Sequence, residues 1–171
     1  MESFMLDDKY WMKQALQLAD IAEAQGEIPV GAVIVLDGQN IGEGANASIS
    51  ACDPTAHAEI QAIRSACKNS SNYRLPEATL YVTLEPCSMC AGAIVHARLG
   101  RVVYGATEPK SGVIESQGCF FEQEFLNHKV RSTGGVLAVE ASKQLSRFFQ
   151  FRRKRKKELQ RKVKAINQVK K

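Results

Sequence analysis

Two short motifs, thirty positions apart, constrain this chain more than any other feature of its sequence. The first is His57-Ala58-Glu59, and the second is Pro86-Cys87-Ser88-Met89-Cys90. A catalytic zinc site takes three ligands from the protein and leaves its fourth position for water. The pattern therefore predicts that the fold brings His57, Cys87 and Cys90 together around one zinc ion. Glu59 is then placed as a proton carrier beside the metal and not as a ligand.

The spacing within each motif indicates how these side chains converge. Cys87 and Cys90 are three positions apart, so a helix opened by Pro86 places both sulfurs on one face of its first turn. The helix dipole and the metal lower the pKa of a thiol there, so we expect two thiolates. Residues two apart do not face each other inside a helix. His57 and Glu59 are therefore expected at the first turn of another helix, with residues 53–55 as its cap and turn.

A second interpretation of the same residues stays open at this point. A lone C-x-x-C pair also occurs in redox motifs and in structural zinc sites. A structural zinc site closes its shell with a fourth protein ligand. The candidates for that ligand are Cys52, Cys119 and His96.

Length and composition indicate one globular domain in a reducing compartment. The chain has 171 residues, and 44% of them are hydrophobic, which is enough for a sizeable core. The five cysteines are an odd number, and no apolar stretch near the N-terminus resembles a signal peptide. The apolar runs have the length of strands, so we expect no membrane span. A cytoplasmic location is the corresponding expectation.

Hydrophobic periodicity predicts alternating helices and strands. Asp37-Gly38 is a two-residue hairpin signal between the first two strands. Helices that connect successive strands favour parallel crossovers, and hence a layered α/β sheet. The predicted helices cover about 8–25, 56–69, 86–97 and 137 onward, with a short one near 120–126. The predicted strands cover 30–36, 39–44, 78–84 and 101–104.

The C-terminus carries a concentrated positive charge. Residues 147–171 contain twelve Lys or Arg and one acid, whereas the rest of the chain contains eleven basic and seventeen acidic residues. Bases can stack on aromatic rings while cations hold phosphates, so Phe interleaved with Arg favours RNA contact. The alternative is a solvated extension. We divide the chain into a domain at 1–153 and a basic, partly disordered tail at 154–171.

Several runs carry a resemblance to a known family. They are P-V-G-A-V, H-A-E, T-L-E-P-C-S-M-C-A-G-A, G-R-V-V-Y-G-A and F-F-Q-F-R-R, and together they resemble the bacterial tRNA-specific adenosine deaminases. The H-x-E and P-C-x-x-C motifs are similar to the signature of zinc-dependent nucleobase deaminases. The resemblance covers about residues 8–154. It implies a cytidine-deaminase-like three-layer α/β/α fold with a mixed sheet of about five strands, and a homodimer with one zinc per subunit.

The resemblance also implies a reaction and a set of residues. The reaction is hydrolytic conversion of the wobble adenosine, position 34, of an arginine tRNA to inosine by a zinc-activated water. His57, Cys87 and Cys90 match the family's zinc ligands, and Glu59 matches its proton shuttle. The family usually has Asp where Glu108 stands. The residues that match substrate-binding positions are Asn46 for the extruded base, Glu108 for its ribose, and Phe149, Arg152 and Arg153 for the flanking RNA.

Two other functions remain as alternatives. One is a deaminase of a free base or nucleotide, such as guanine or cytosine, against which the basic C-terminus argues. The other is a noncatalytic module that binds zinc and RNA, against which Glu59 and an open fourth zinc position argue.

Overall fold

A computed structural model describes residues 7–169, without the side chains of 165–169, and residues 1–6 and 170–171 lie outside the described range. It contains one mixed five-stranded sheet. The strands are β1 (Gly31–Leu36), β2 (Gln39–Ala45), β3 (Thr79–Leu84), β4 (Arg101–Ala106) and β5 (Arg131–Thr133). The helices are α1 (Asp8–Ala24), α2 (Ala58–Asn69), α3 (Ser88–His96) and α4 (Ala138–Val169), with a 3-10 turn at Phe120–Glu122.

The topology of the sheet brings several loops to one end of it. The strand order is β2-β1-β3-β4-β5. The β1–β2 hairpin turns at Asp37 and Gly38, whose φ angles are both positive, as the hairpin signal predicts. β1 is antiparallel to β2 and to β3, while β3 and β4 are parallel. The carboxyl ends of β2, β3 and β4 therefore meet at one end of the sheet, which is where ligands bind in many α/β proteins.

Helices cover both faces of the sheet, and each face has its own core. α1 packs with Trp11 and Met12 against alternate residues of the central strands, such as Val33 and Val103. The remaining strand positions point to the other face, where α2 and α3 cover them in a larger cluster. α4 lies against α1 and β4. This arrangement confirms the predicted three-layer α/β/α fold.

The structure differs from the predicted elements at several places, and the short helix expected near 120–126 is only a 3-10 turn at Phe120–Glu122. Pro86 lies outside α3, and residues 56 and 57 lie outside α2. β5 has no counterpart among the predicted strands because its sequence, Arg-Ser-Thr, is polar and mostly exposed. α4 continues to Val169 through most of the segment assigned to the tail. The division between domain and tail stays a prediction. Within the described range, no helix combines the length and apolarity needed to cross a bilayer.

The start of α2 lies unusually close to β2. A Cβ atom built on Gly44 would meet the carbonyl oxygen of Ala58 and would stand 2.5 Å from the backbone nitrogen of Ala62. Gly42 faces the next turn of α2 in the same way, near Ala66. The backbone of α2 can reach this position only because neither strand residue has a side chain. The contact fixes the height of the first turn of α2 above the sheet.

We predict that Gly44→Ala destabilises the protein by about 1–3 kcal/mol, the usual cost of forcing a methyl group into a packed interior. The displaced helix also carries His57, so zinc content is expected to fall. Urea unfolding and zinc analysis of the purified variant measure both effects. The matched control is Gly92→Ala on α3, where the added methyl group meets nothing within 4 Å. Unchanged stability and zinc content in Gly44→Ala would contradict the close-packing account.

Candidate active site

His57 and Glu59 stand at the start of α2, as their spacing predicts. His57 is the N-cap residue with extended backbone, and Glu59 lies in the first turn. Asp53 does not cap this helix, so that part of the prediction is wrong. Its carboxylate instead accepts hydrogen bonds from the backbone N–H and the hydroxyl of Thr55, at 2.8 and 2.7 Å. Residues 53–55 therefore form a local turn that leads the chain into His57.

The two cysteines stand at the start of α3. Cys87 is its N-cap residue, and Cys90 lies in the first turn. Pro86 precedes the cap and is not the first helical residue, which corrects the predicted start by two positions. The expected consequence still holds, because both sulfurs point to the same place.

His57, Cys87 and Cys90 form one cluster. The Nδ1 atom of His57 lies 3.7 Å from the sulfur of Cys87 and 3.5 Å from the sulfur of Cys90. Tetrahedral zinc, with Zn–N of about 2.1 Å and Zn–S of about 2.3 Å, holds a nitrogen and a sulfur about 3.6 Å apart. The three donor atoms therefore fit one zinc ion without rearrangement.

The cluster contains three protein ligands and not four. Among the described residues, no further His, Cys, Asp or Glu joins it. Cys52, Cys119 and His96, the candidates for a fourth ligand, are all exposed and outside the cluster. This count is the pattern of a catalytic zinc site, in which the fourth position is left for water or substrate.

The two sulfurs differ in their affinity for a proton. A hydrogen bond from Cys90, with a second from His57, lowers the pKa of Cys87 to about 4. Its hydrogen bond with Cys87, together with burial, raises the pKa of Cys90. Cys87 is thus a thiolate that accepts a hydrogen bond from the Cys90 thiol. A bound divalent cation would displace the proton of Cys90, because metal binding requires deprotonated ligands. The expected pair of thiolates therefore belongs to the metal-bound site.

Glu59 lies beside the ligands but outside their cluster. Its side chain is 4% exposed and lines the same cavity as His57 and Cys87. Burial raises the pKa of the Glu59 carboxyl above its ordinary value. A carboxyl group with a raised pKa exchanges protons more readily near neutral pH, as a general acid and base must.

A cavity of about 180 Å³ opens in front of these residues. It is smaller than the roughly 300–1,000 Å³ of pockets that enclose drug-sized ligands, so it suits a single small group. Its lining combines seven polar and five apolar residues. The polar residues are Asn46, His57, Glu59, Glu85, Cys87, Glu108 and Ser111, and the apolar residues are Ile28, Val30, Leu84, Leu145 and Phe149.

The structure brings some of the predicted substrate-binding residues to this cavity and not others. Asn46, Glu108 and Phe149 line it. Arg152 and Arg153 do not, and both are exposed on α4. The guanidinium of Arg152 lies over the ring of Phe148, 5.6 Å from its centre. These two cations therefore flank the site along the helix.

One wall of the cavity is held by a buried carboxylate. Glu85 is 2% exposed and accepts hydrogen bonds from the backbone N–H groups of Glu108, Ile114, Glu115 and Ser116, at 2.9 to 3.0 Å. Burial acts to raise the pKa of Glu85, but these bonds hold it below its ordinary value. The Glu85 carboxylate therefore has a structural role, which is to anchor the loop that contains Glu108.

Another part of the cavity wall depends on a residue that the sequence pattern does not single out. Glu27 is 1% exposed and accepts a hydrogen bond from the side-chain amide of Asn46, at 3.3 Å. The only sequence signal for it is an acid within the apolar approach to β1. Nineteen positions separate the two residues, and no helix or strand period connects them.

Comparisons with known proteins agree with this site. Residues 5–106 match the family described as the cytidine and deoxycytidylate deaminase zinc-binding region. The tRNA-specific adenosine deaminase of Haemophilus influenzae is 59% identical over 151 residues, which is 88% of this chain and 87% of that protein. A solved structure from a study of A-to-I editing by tRNA:A34 deaminases at the wobble position has a TM-score of 0.77 and 46% identity, over 80% of this chain and 99% of that one. The guanine deaminase of Bacillus subtilis has a TM-score of 0.57 and 46% identity, over 60% of this chain and 66% of its own.

We predict that Cys87→Ser loses the zinc, because a hydroxyl is a poor zinc ligand at neutral pH whereas the Cys87 thiolate is already deprotonated. Metal analysis of the purified variant should give well below one zinc per chain, against one for the unchanged protein. Cys52→Ser is the control, since that exposed thiol lies outside the cluster. A Cys87→Ser protein that keeps its full zinc would show that the ligand set is wrong.

Proposed function

Because the chain belongs to the family of cytidine and deoxycytidylate deaminase zinc-binding proteins, we propose that it converts the wobble adenosine of an arginine tRNA to inosine. As a zinc-dependent tRNA adenosine deaminase, it exchanges the amino group of adenine for the oxygen of water. The observation that carries the proposal is the three-ligand cluster with the buried Glu59 carboxyl beside it in one small cavity. The general part of the proposal is deamination of adenosine in a tRNA, and its most specific part is the choice of position 34 in an arginine tRNA.

The chemistry is divided between the metal and Glu59. Zinc bound by His57, Cys87 and Cys90 supplies Lewis-acid chemistry that makes water a nucleophile at neutral pH. The Glu59 carboxylate accepts a proton from the attacking water and delivers it to the ring nitrogen beside the amino-bearing carbon. It then carries the second proton to the departing amine. Water and adenosine are consumed, and inosine and ammonia are released.

The cavity requires that the base leave its stack. From its volume of about 180 Å³ we infer that it admits one base and not a stacked pair. Unstacking costs least in a single-stranded loop, which makes an anticodon loop a suitable substrate. We assign Asn46 to the extruded base and Glu108 to its ribose, since both stand at the cavity wall.

The surface beside the cavity suits the rest of an RNA loop. Phe149 is 41% exposed at the cavity wall, where it can stack on a neighbouring base. Arg152 and Arg153 follow on the same helix, and we assign them to flanking phosphates. The basic tail continues beyond them on α4 and adds cations that raise affinity for a polyanion in a salt-dependent way.

Two further parts of the proposal rest on the resemblance to the bacterial tRNA-specific adenosine deaminases. We propose that the chain works as a homodimer. We also propose that it works in the cytoplasm.

We predict that Glu59→Ala keeps zinc and fold but lowers the deamination rate by about a hundred- to ten-thousand-fold, the usual contribution of a positioned general acid and base. Ammonia release under single-turnover conditions, with zinc analysis alongside, makes the measurement. Glu43→Ala removes an exposed carboxylate outside the cavity and is expected to leave the rate unchanged. Near-normal turnover in Glu59→Ala would remove this residue from the mechanism.

The substrate assignment predicts a ranking among three compounds. An anticodon stem-loop with adenosine at position 34 should react efficiently, the same loop with cytidine there should not, and free adenosine should barely react. The reason is that contacts outside the reacting base supply the binding energy that positions it, so a truncated substrate loses turnover as well as affinity. Comparable rates on free adenosine, cytidine or guanine would replace the tRNA assignment with a base-salvage activity.

A further inference from the structure

Glu27 is a buried acid that the mechanism above does not use. It lies between α1 and β1, and its carboxylate accepts three hydrogen bonds. The donors are the side-chain Nδ2 of Asn46 at 3.3 Å, the backbone N–H of Ile49 at 3.2 Å and the backbone N–H of Ser50 at 2.7 Å. No ion pair within the described residues includes Glu27. Hydrogen bonds alone therefore compensate for the burial of this charge.

The charge state of Glu27 determines which way the Asn46 amide points. Burial acts to raise the pKa of Glu27, but the bonds from Ser50, Ile49 and Asn46 hold it below its ordinary value. An ionised carboxylate only accepts hydrogen bonds, so the atom of Asn46 that faces it must be the nitrogen. An Asn side chain without such a partner can present either its oxygen or its nitrogen to a ligand.

We propose that Glu27 is a positioning residue that locks the side-chain amide of Asn46 in one orientation at the wall of the cavity. With one N–H of Asn46 bound to Glu27, the second N–H and Oδ1 form a fixed donor and acceptor for the extruded base. A preset pair of this kind holds the base in reacting geometry without an ordering cost at the time of reaction. The inference rests on the proposed role of Asn46 in base binding.

A purely structural role makes a different prediction, because Glu27 also holds the loop through Ile49 and Ser50. Asp53 provides the comparison. It too stabilises this loop, through Thr55, but it makes no hydrogen bond with Asn46. If Glu27 acts only on the loop, substitution of Glu27 and substitution of Asp53 should affect activity in the same way. In particular, each should lower kcat/KM by the same factor whether or not Asn46 is also substituted.

The test is a double-mutant cycle on deamination of the adenosine-34 stem-loop, with zinc content and unfolding measured for each variant. Glu27→Gln and Asn46→Ala are each expected to lower kcat/KM about tenfold or more, mainly through kcat, because the base is held less well. Glu27→Gln should then have little further effect in the Asn46→Ala background. The effect of Asp53→Asn should instead multiply with that of Asn46→Ala.

Two results would overturn the inference. The first is a Glu27→Gln enzyme that retains normal kcat/KM. A Glu27→Gln defect that multiplies with the defect of Asn46→Ala, as the defect of Asp53→Asn is expected to do, counts as the same result. The second is normal turnover of Asn46→Ala, which would also end the proposed role of Asn46. In both cases the activity of the unchanged enzyme on the stem-loop tests the proposed function separately. Where Glu27→Gln loses zinc or unfolds, Glu27→Asp keeps the charge, shortens the reach and enters the same cycle.

Discussion

The site depends on the close approach of α2 to the edge of the sheet. Gly44 lets the backbone of β2 touch the first turn of α2, and this contact sets the position of His57 and Glu59. α3 begins at the same end of the sheet because β3 runs parallel to β2 and delivers Cys87 there. One imidazole and two sulfurs thus meet at zinc-binding distances, although thirty positions separate the two motifs. A small change in either helix start would separate the ligands.

Two buried carboxylates give the cavity its fixed walls. Glu85 accepts hydrogen bonds from the loop that contains Glu108, and Glu27 accepts them from the loop that begins at Asn46. One loop follows β4 and the other follows β2, two strands that run in the same direction. At these strand ends the backbone leaves the sheet and needs other hydrogen-bond partners. Charged acceptors form stronger hydrogen bonds than neutral ones, so these two carboxylates hold the walls of the cavity firmly. The reacting groups between them therefore stand on a rigid frame.

The sequence predicts most of the helices and strands and the three zinc ligands. The features that it does not predict have physical causes. Apolar periodicity and the Asp37-Gly38 turn predict the central strands and helices because burial enforces a regular pattern. β5 has no such pattern, since its polar residues pair with β4 at an exposed edge. Spacing predicts that the three ligands meet, but the role of Glu27 depends on a contact between residues with no periodic relation. The assignments of Asn46, Glu108, Phe149, Arg152 and Arg153 to RNA stay predictions.

The central claim concerns a change in cellular tRNA, and direct sequencing of that tRNA tests it best. Inosine pairs like guanosine, so a deaminated wobble position reads as A-to-G in sequencing of complementary DNA. Cells that lose this protein should lose the signal at position 34 of an arginine tRNA. Restoring the unchanged protein should bring the signal back, whereas restoring Glu59→Ala should not. Wobble inosine that persists at its normal level without the protein would contradict the account.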